Sequence, residues 1–152
     1  MAEHPARRHS GPVTASPASA VLAVPAADPA VAAAHFAAKL AHETDPADVA
    51  ADQRAGARGF VLVDTRSVEA YEKGHVPGAL SFPHATMDAT SVQRLSREDV
   101  HVVYCWSTGC NAADKGAATL AALGYRVKLM IGGWEQWQSE IGTVETGPEP
   151  SR

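Results

Sequence analysis

The chain has 152 residues, of which 45% are hydrophobic, enough for one α/β domain with a tail but too few for two domains of ordinary size. Its formal net charge is −4, and Lys and Arg form no block that could follow a phosphate backbone, which argues against nucleic acid as a partner. The two cysteines, Cys105 and Cys110, are too few and too close in sequence to form the disulfide framework of a small secreted domain.

Residues 1–30 are rich in Ala, Pro, Ser, Gly and Thr and contain few large apolar side chains. Such a segment cannot bury enough apolar surface to offset the entropy of ordering, so we predict a disordered tail. The apolar stretch at 21–27 is too short for an export signal, and no run in the chain is long enough to cross a bilayer. We therefore expect a cytoplasmic protein without a membrane partner.

The pattern becomes helical after the tail. Residues 31–45 are predicted to form an N-terminal helix, and Asp45 can cap a second short helix that begins at Pro46. We expect the main domain to span residues 46–146 and residues 147–152 to form a flexible C-terminus.

Strands and helices alternate through the main domain. The predicted strands are 60–64, 79–82, 101–105 and 126–131; the predicted helices are 67–73, 111–123 and a last one carrying Trp134, Trp137 and Ile141 on one face. This alternation predicts a parallel α/β sheet with right-handed crossovers.

Cys105 is the residue in this pattern most suited to chemistry. It ends a predicted buried strand and begins a loop of small residues before a helix. Active sites of open parallel sheets collect at this edge, and loop N–H groups together with the positive end of the following helix favour a thiolate. We therefore expect Cys105 to be a nucleophile.

Five signatures in order carry a resemblance to a known family. They are the strand end Asp64-Thr65-Arg66, EAYEKGHVPGA, VVYC with its loop, GYRV, and IGGW. Over about residues 46–140 the chain resembles the rhodanese family. The resemblance implies a three-layer α/β fold with a five-stranded parallel sheet flanked by helices, sulfurtransferase activity, and a persulfide on the loop cysteine, which Cys105 matches.

The loop after Cys105 is the predicted substrate-binding segment, in which backbone amides would hold negative sulfur. Its residues are Trp106, Ser107, Thr108, Gly109, Cys110 and Asn111. The loop lacks the Arg with which phosphatase relatives clamp phosphate, so phosphatase or arsenate chemistry ranks last. No cationic side chain lies between Cys105 and Lys115 to neutralise thiosulfate.

Several of these residues admit two interpretations. Cys110 is either a small loop residue, which we prefer, or a resolving thiol that forms a disulfide with Cys105. Trp106 either lines the pocket or packs the loop. For Asp64, Arg66 and His75 we favour structural roles near the site over contact with substrate.

The leading functional hypothesis is a sulfurtransferase that moves sulfane sulfur from a donor such as thiosulfate or a persulfide to a thiol or cyanide acceptor through a Cys105 persulfide. A protein thiol is a further candidate acceptor. The chemistry requires no cofactor and no metal. The alternative hypothesis is a redox-sensing or protein-binding rhodanese module with a Cys105/Cys110 disulfide switch and little turnover.

Overall fold

The computed structural model describes residues 18–150, so residues 1–17 of the predicted tail lie outside the described part. Residues 18–28 are exposed and form neither helix nor strand. The regular elements that follow are α1 (Pro29–His42), β1 (Glu43–Thr44), α2 (Pro46–Ala55), β2 (Phe60–Asp64), α3 (Val68–Lys73), β3 (Leu80–Ser81), β4 (Val100–Tyr104), α4 (Ala112–Ala122), β5 (Arg126–Met130) and α5 (Gly133–Glu140).

The five strands form one parallel sheet in the order β1-β5-β4-β2-β3, which confirms the predicted fold class. β4 is the central strand and pairs with β2 and β5. Because all strands run in the same direction, their carboxyl ends share one edge, and the residue after β4 lies at the middle of that edge.

The N-terminal helix and the first strand differ from the sequence-based expectation. The helix begins at Pro29, where the Asp28 side chain accepts a hydrogen bond from an N–H of the first turn, and it ends at His42. Residues Glu43–Thr44 instead pair with β5 as an edge strand. A polar strand of two residues carries no alternating pattern, so the sequence offered no signal for it.

Two apolar clusters cover the two faces of the sheet. Alternate residues of β4 point to opposite sides: Val102 belongs to the cluster that includes Trp134 and Trp137, and Val103 belongs to the cluster that includes Leu120. Trp134 and Trp137, which share one face of the last predicted helix, are both buried in this core. The helices therefore form layers on both faces of the sheet.

The C-terminal segment contacts the domain beyond the expected boundary at residue 146. The Gly147 N–H donates to the Glu72 carbonyl, and the Glu149 carboxylate accepts from the Ser81 N–H and from Arg94. Among residues 18–150, no helix is both long and apolar enough to cross a membrane.

Candidate active site

Cys105 follows the central strand β4 directly and is buried on the face covered by α4. Hydrogen bonds from the start of α5 fix the backbone at Cys105. The N–H groups of Trp134 and Glu135, in the first turn of α5, donate to the carbonyls of Cys105 and Trp106 at 2.8 and 2.9 Å. The start of α5 therefore holds the start of the loop in place.

Gly133 permits this close contact between α5 and the loop. Its φ is +61°, and a Cβ atom built there would lie 2.5 Å from the Cys105 carbonyl oxygen. An L side chain would suffer both the backbone strain and the clash with a backbone atom that has little freedom to move. The IGGW signature thus has a direct structural role beside Cys105.

Gly133→Ala is expected to lower the free energy of unfolding by at least about 2 kcal/mol and to displace the loop. The matched control is Gly142→Ala, which has a similar φ of +78° but no atom closer than 3.7 Å to its Cβ. Urea denaturation measures both variants. Equal destabilisation of the two would contradict a special role for the contact with Cys105.

A pocket of about 200 Å³ opens beside Cys105. Three segments line it: the loop residues Cys105, Ser107, Thr108 and Cys110; the first turn of α4 at Ala113 and Asp114; and the chain from Leu129 at the end of β5 to Gly133. Three residues of the predicted substrate-binding loop, Trp106, Gly109 and Asn111, do not line it. Among the described residues that do, Asp114 is the one with a charged side chain.

Cys105 and Cys110 form a disulfide in the structure, with their Cα atoms 6.3 Å apart. This separation is within the usual range of about 4.4 to 6.8 Å. The loop turns back on itself because the Cys110 N–H donates to the Ser107 carbonyl at 3.1 Å. The preferred interpretation of Cys110 as merely a small loop residue is therefore corrected: the loop geometry brings the two sulfurs together.

The loop amides are less free to hold sulfur than the sequence suggested. The N–H groups of Gly109 and Cys110 both donate to Ser107, the first to its hydroxyl and the second to its carbonyl. At the start of α4, the Asn111 side chain caps none of the helix N–H groups. The first turn of α4, which borders the pocket, thus offers its orphan N–H groups and its positive helix end to an anion.

Asp64 and Arg66 form a buried ion pair, with both side chains inaccessible to solvent. The Asp64 carboxylate also accepts from the Tyr104 hydroxyl at 2.7 Å, and Arg66 Nη2 donates to the Gly74 carbonyl. Burial, with the Asp64 charge as a second cause, raises the pKa of Tyr104. Neither Asp64 nor Arg66 lines the pocket, and their structural role near the site stays a prediction.

Trp106 packs the loop onto this ion pair rather than lining the pocket. The Arg66 guanidinium lies 4.5 Å from the centre of the Trp106 ring and 4.8 Å from that of Trp134. The cation therefore lies over the faces of two aromatic rings, an arrangement that is attractive for Arg. This three-residue stack was missed at the sequence level, since the three positions are far apart in the chain.

His75 joins two backbone segments away from the pocket. Its ring stacks on Tyr71 at 3.6 Å, Nδ1 hydrogen-bonds the Tyr71 carbonyl, and its backbone pairs with Glu145. The structural role of His75 near the site stays a prediction. In the part of the chain that the structure describes, no group of three His, Cys, Asp or Glu side chains is arranged to hold a metal ion.

Comparisons with known proteins agree with this geometry. The sequence model of the Rhodanese-like domain matches residues 45–140. The crystal structure of the BH2092 protein from Bacillus halodurans is 44% identical, superposes with a TM-score of 0.76, and covers 78% of this chain and 87% of its own.

Two further proteins show the range of contexts in which similar chains occur. The HTH-type transcriptional regulator Rv0324 of Mycobacterium tuberculosis is 30% identical over 121 residues, which are 80% of this chain and 52% of that protein, so this chain spans about half its length. Thiosulfate sulfurtransferase from Pseudomonas aeruginosa is 27% identical with a TM-score of 0.59, over 70% of this chain and 20% of that one. With the family model matched across its main domain, the protein belongs to the family of rhodanese-like domains.

Proposed function

We propose that the protein is a sulfurtransferase that carries sulfane sulfur as a persulfide on Cys105 and delivers it to a thiol or to cyanide. The observation that carries this proposal is the position of Cys105. It lies at the carboxyl end of the central strand, beside the uncapped first turn of α4, and it borders a pocket of about 200 Å³. Family membership and the similarity to a thiosulfate sulfurtransferase support the same class of chemistry.

The reaction proceeds in two displacements. In the first, the Cys105 thiolate attacks the outer sulfur of a donor such as thiosulfate or a persulfide; the donor's S–S bond breaks, and sulfite or a thiolate leaves with the electron pair. In the second, an acceptor thiolate or cyanide attacks the outer sulfur of the Cys105 persulfide and restores the thiolate. The positive end of α4 stabilises the anionic sulfur in both steps.

Thiocyanate formation tests the proposal. The protein, reduced beforehand, is incubated with cysteine persulfide, freed of excess donor and mixed with cyanide. We expect about one thiocyanate per chain in a single turnover, because one cysteine carries the transferable sulfur. Absence of thiocyanate with every donor tried would contradict the proposal.

The disulfide favours a second candidate function, in which Cys110 is a resolving thiol and the domain acts as a redox or sulfur sensor. The Cys110 thiolate would attack the inner sulfur of the Cys105 persulfide, form the Cys105–Cys110 disulfide and expel hydrosulfide. The sulfane sulfur is reduced and the two cysteines are oxidised, so a thiol reductant must reopen the disulfide before the next cycle. The regulator among the relatives is consistent with a sensing context.

Cys110→Ser separates the two functions. If Cys110 resolves the persulfide, the variant should hold its persulfide in the absence of acceptor at least about ten times longer than the parent, since the internal attack is removed. Intact mass spectrometry over time measures the lifetime. Equal lifetimes would reject the sensor and leave the simple carrier.

The partners that follow from this proposal are a small sulfur donor and a thiol or cyanide acceptor, with protein thiols among the candidate acceptors. We place the reaction in the cytoplasm, where thiol reductants keep cysteines available.

A further inference from the structure

The electrostatic character of the pocket beside Cys105 is set by very few side chains. Within residues 18–150, its lining contains no Lys or Arg, and its one charged side chain is Asp114 in the first turn of α4. The α4 end contributes roughly half a positive charge. Set against the Asp114 carboxylate, this leaves the pocket without a net positive charge, so a substrate dianion is repelled there more strongly than a singly charged substrate.

Arg66, whose guanidinium packs against Trp106 of the loop, is not available to a substrate. The Arg66 side chain is fully buried and forms an ion pair with Asp64. Its guanidinium packs against the rings of Trp106 and Trp134, and neither Arg66 nor Trp106 borders the pocket. The charge of Arg66 is thus neutralised inside the structure.

The wall opposite the loop is apolar. Leu129, near the end of β5, and the exposed Ile131 that follows the strand supply apolar side chains to the lining of the pocket. An organic group bound there would bury apolar surface, whereas a sulfonate group would lose its hydration without gaining a cationic partner. The pocket therefore favours binding of a donor with an organic group over binding of thiosulfate.

We propose that the pocket selects organic persulfides or polysulfides as sulfur donors, and that Asp114 is the specificity-determining residue that disfavours the thiosulfate dianion. This inference rests on the proposed sulfur transfer. With a persulfide, Cys105–S⁻ + R–S–SH gives Cys105–S–SH + R–S⁻, and a single negative charge is present throughout. With thiosulfate, the thiolate and the dianion bring three negative charges together beside Asp114, and sulfite leaves as a second dianion.

The test compares the rates at which two donors load sulfur onto the reduced protein, cysteine persulfide and thiosulfate, by intact mass spectrometry. The parent is expected to load from cysteine persulfide at least about ten times faster. Asp114→Lys is expected to raise the ratio of the thiosulfate rate to the persulfide rate on the order of ten-fold, and Asp114→Asn by a smaller factor, because like-charge repulsion is removed or reversed.

Glu98→Lys is the matched control. Glu98 is exposed and precedes β4, so it lies at the opposite edge of the sheet from Cys105. Its substitution by Lys changes the net charge of the protein by the same amount as Asp114→Lys. Its donor ratio should equal that of the parent. The same rise in Glu98→Lys as in Asp114→Lys would overturn the assignment to Asp114, because net charge alone would then explain it.

The outcomes distinguish this inference from the function on which it rests. If the parent loads sulfur equally well from both donors and neither Asp114 variant changes the ratio, donor selection is overturned while sulfur transfer stands. If neither donor loads sulfur onto Cys105, sulfur transfer itself is contradicted.

Discussion

Cys105→Ser is expected to abolish persulfide loading and sulfur transfer, lowering the rate by at least about a thousand-fold. The serine hydroxyl has nearly the size of the thiol but is far less acidic and a much weaker nucleophile, so the pocket remains while the reacting atom is lost. Single-turnover loading with cysteine persulfide, followed by thiocyanate release, measures the loss.

The loss must be separated from the effect of removing the disulfide. Cys110→Ser removes the same disulfide and serves as the control, with loading expected to be retained. Both variants should have the melting temperature of the reduced parent within a few degrees. Sulfur transfer by Cys105→Ser at more than a trace of the parental rate would contradict the assignment of the nucleophile.

Asp64→Ala is expected to lower the free energy of unfolding by about 3 to 5 kcal/mol, the largest stability effect we anticipate. The substitution leaves the Arg66 guanidinium charged and buried without its counter-ion, and it removes the acceptor of the Tyr104 hydroxyl. Urea denaturation of the reduced protein measures the change.

A double-mutant cycle tests the cause. Combining Asp64→Ala with Arg66→Met should cost less than the sum of the two single changes, because the second substitution removes the unpaired charge that the first creates. The exposed pair of Lys39 and Glu43 is the control, and Lys39→Gln should change stability by about 0.5 kcal/mol or less. Additive effects at Asp64 and Arg66 would contradict a coupled pair.

Features with a local signal in the chain could be predicted from sequence. The strands β2 and β5, the helix after the loop and the place of Cys105 at a strand end each follow from apolar residues and helix-capping residues that are close together in the chain. The five-stranded sheet came from the family resemblance. The strand Glu43–Thr44 is defined by pairing with β5, a tertiary contact that no local pattern records.

Within the site, too, the features that the sequence did not predict depend on tertiary contacts. The residue types and their order in the sequence indicated Cys105 as the candidate nucleophile. The distance between its sulfur and that of Cys110, however, depends on how the intervening loop turns at Ser107. The contact of Arg66 with both Trp106 and Trp134 likewise depends on α5 meeting the loop. Both are results of packing between elements that are distant in the chain.

The central claim is that Cys105 carries transferable sulfur, and peptide-level mass spectrometry tests it most directly. Reduced protein is incubated with cysteine persulfide, freed of donor, blocked with an alkylating agent and digested. The account predicts that the peptide containing Cys105 gains the mass of one sulfur atom, that its fragment ions place this sulfur on Cys105 rather than on Cys110, and that cyanide added before blocking removes it. A digest in which Cys105 never gains sulfur, or in which the added sulfur lies on Cys110 alone, would contradict the account.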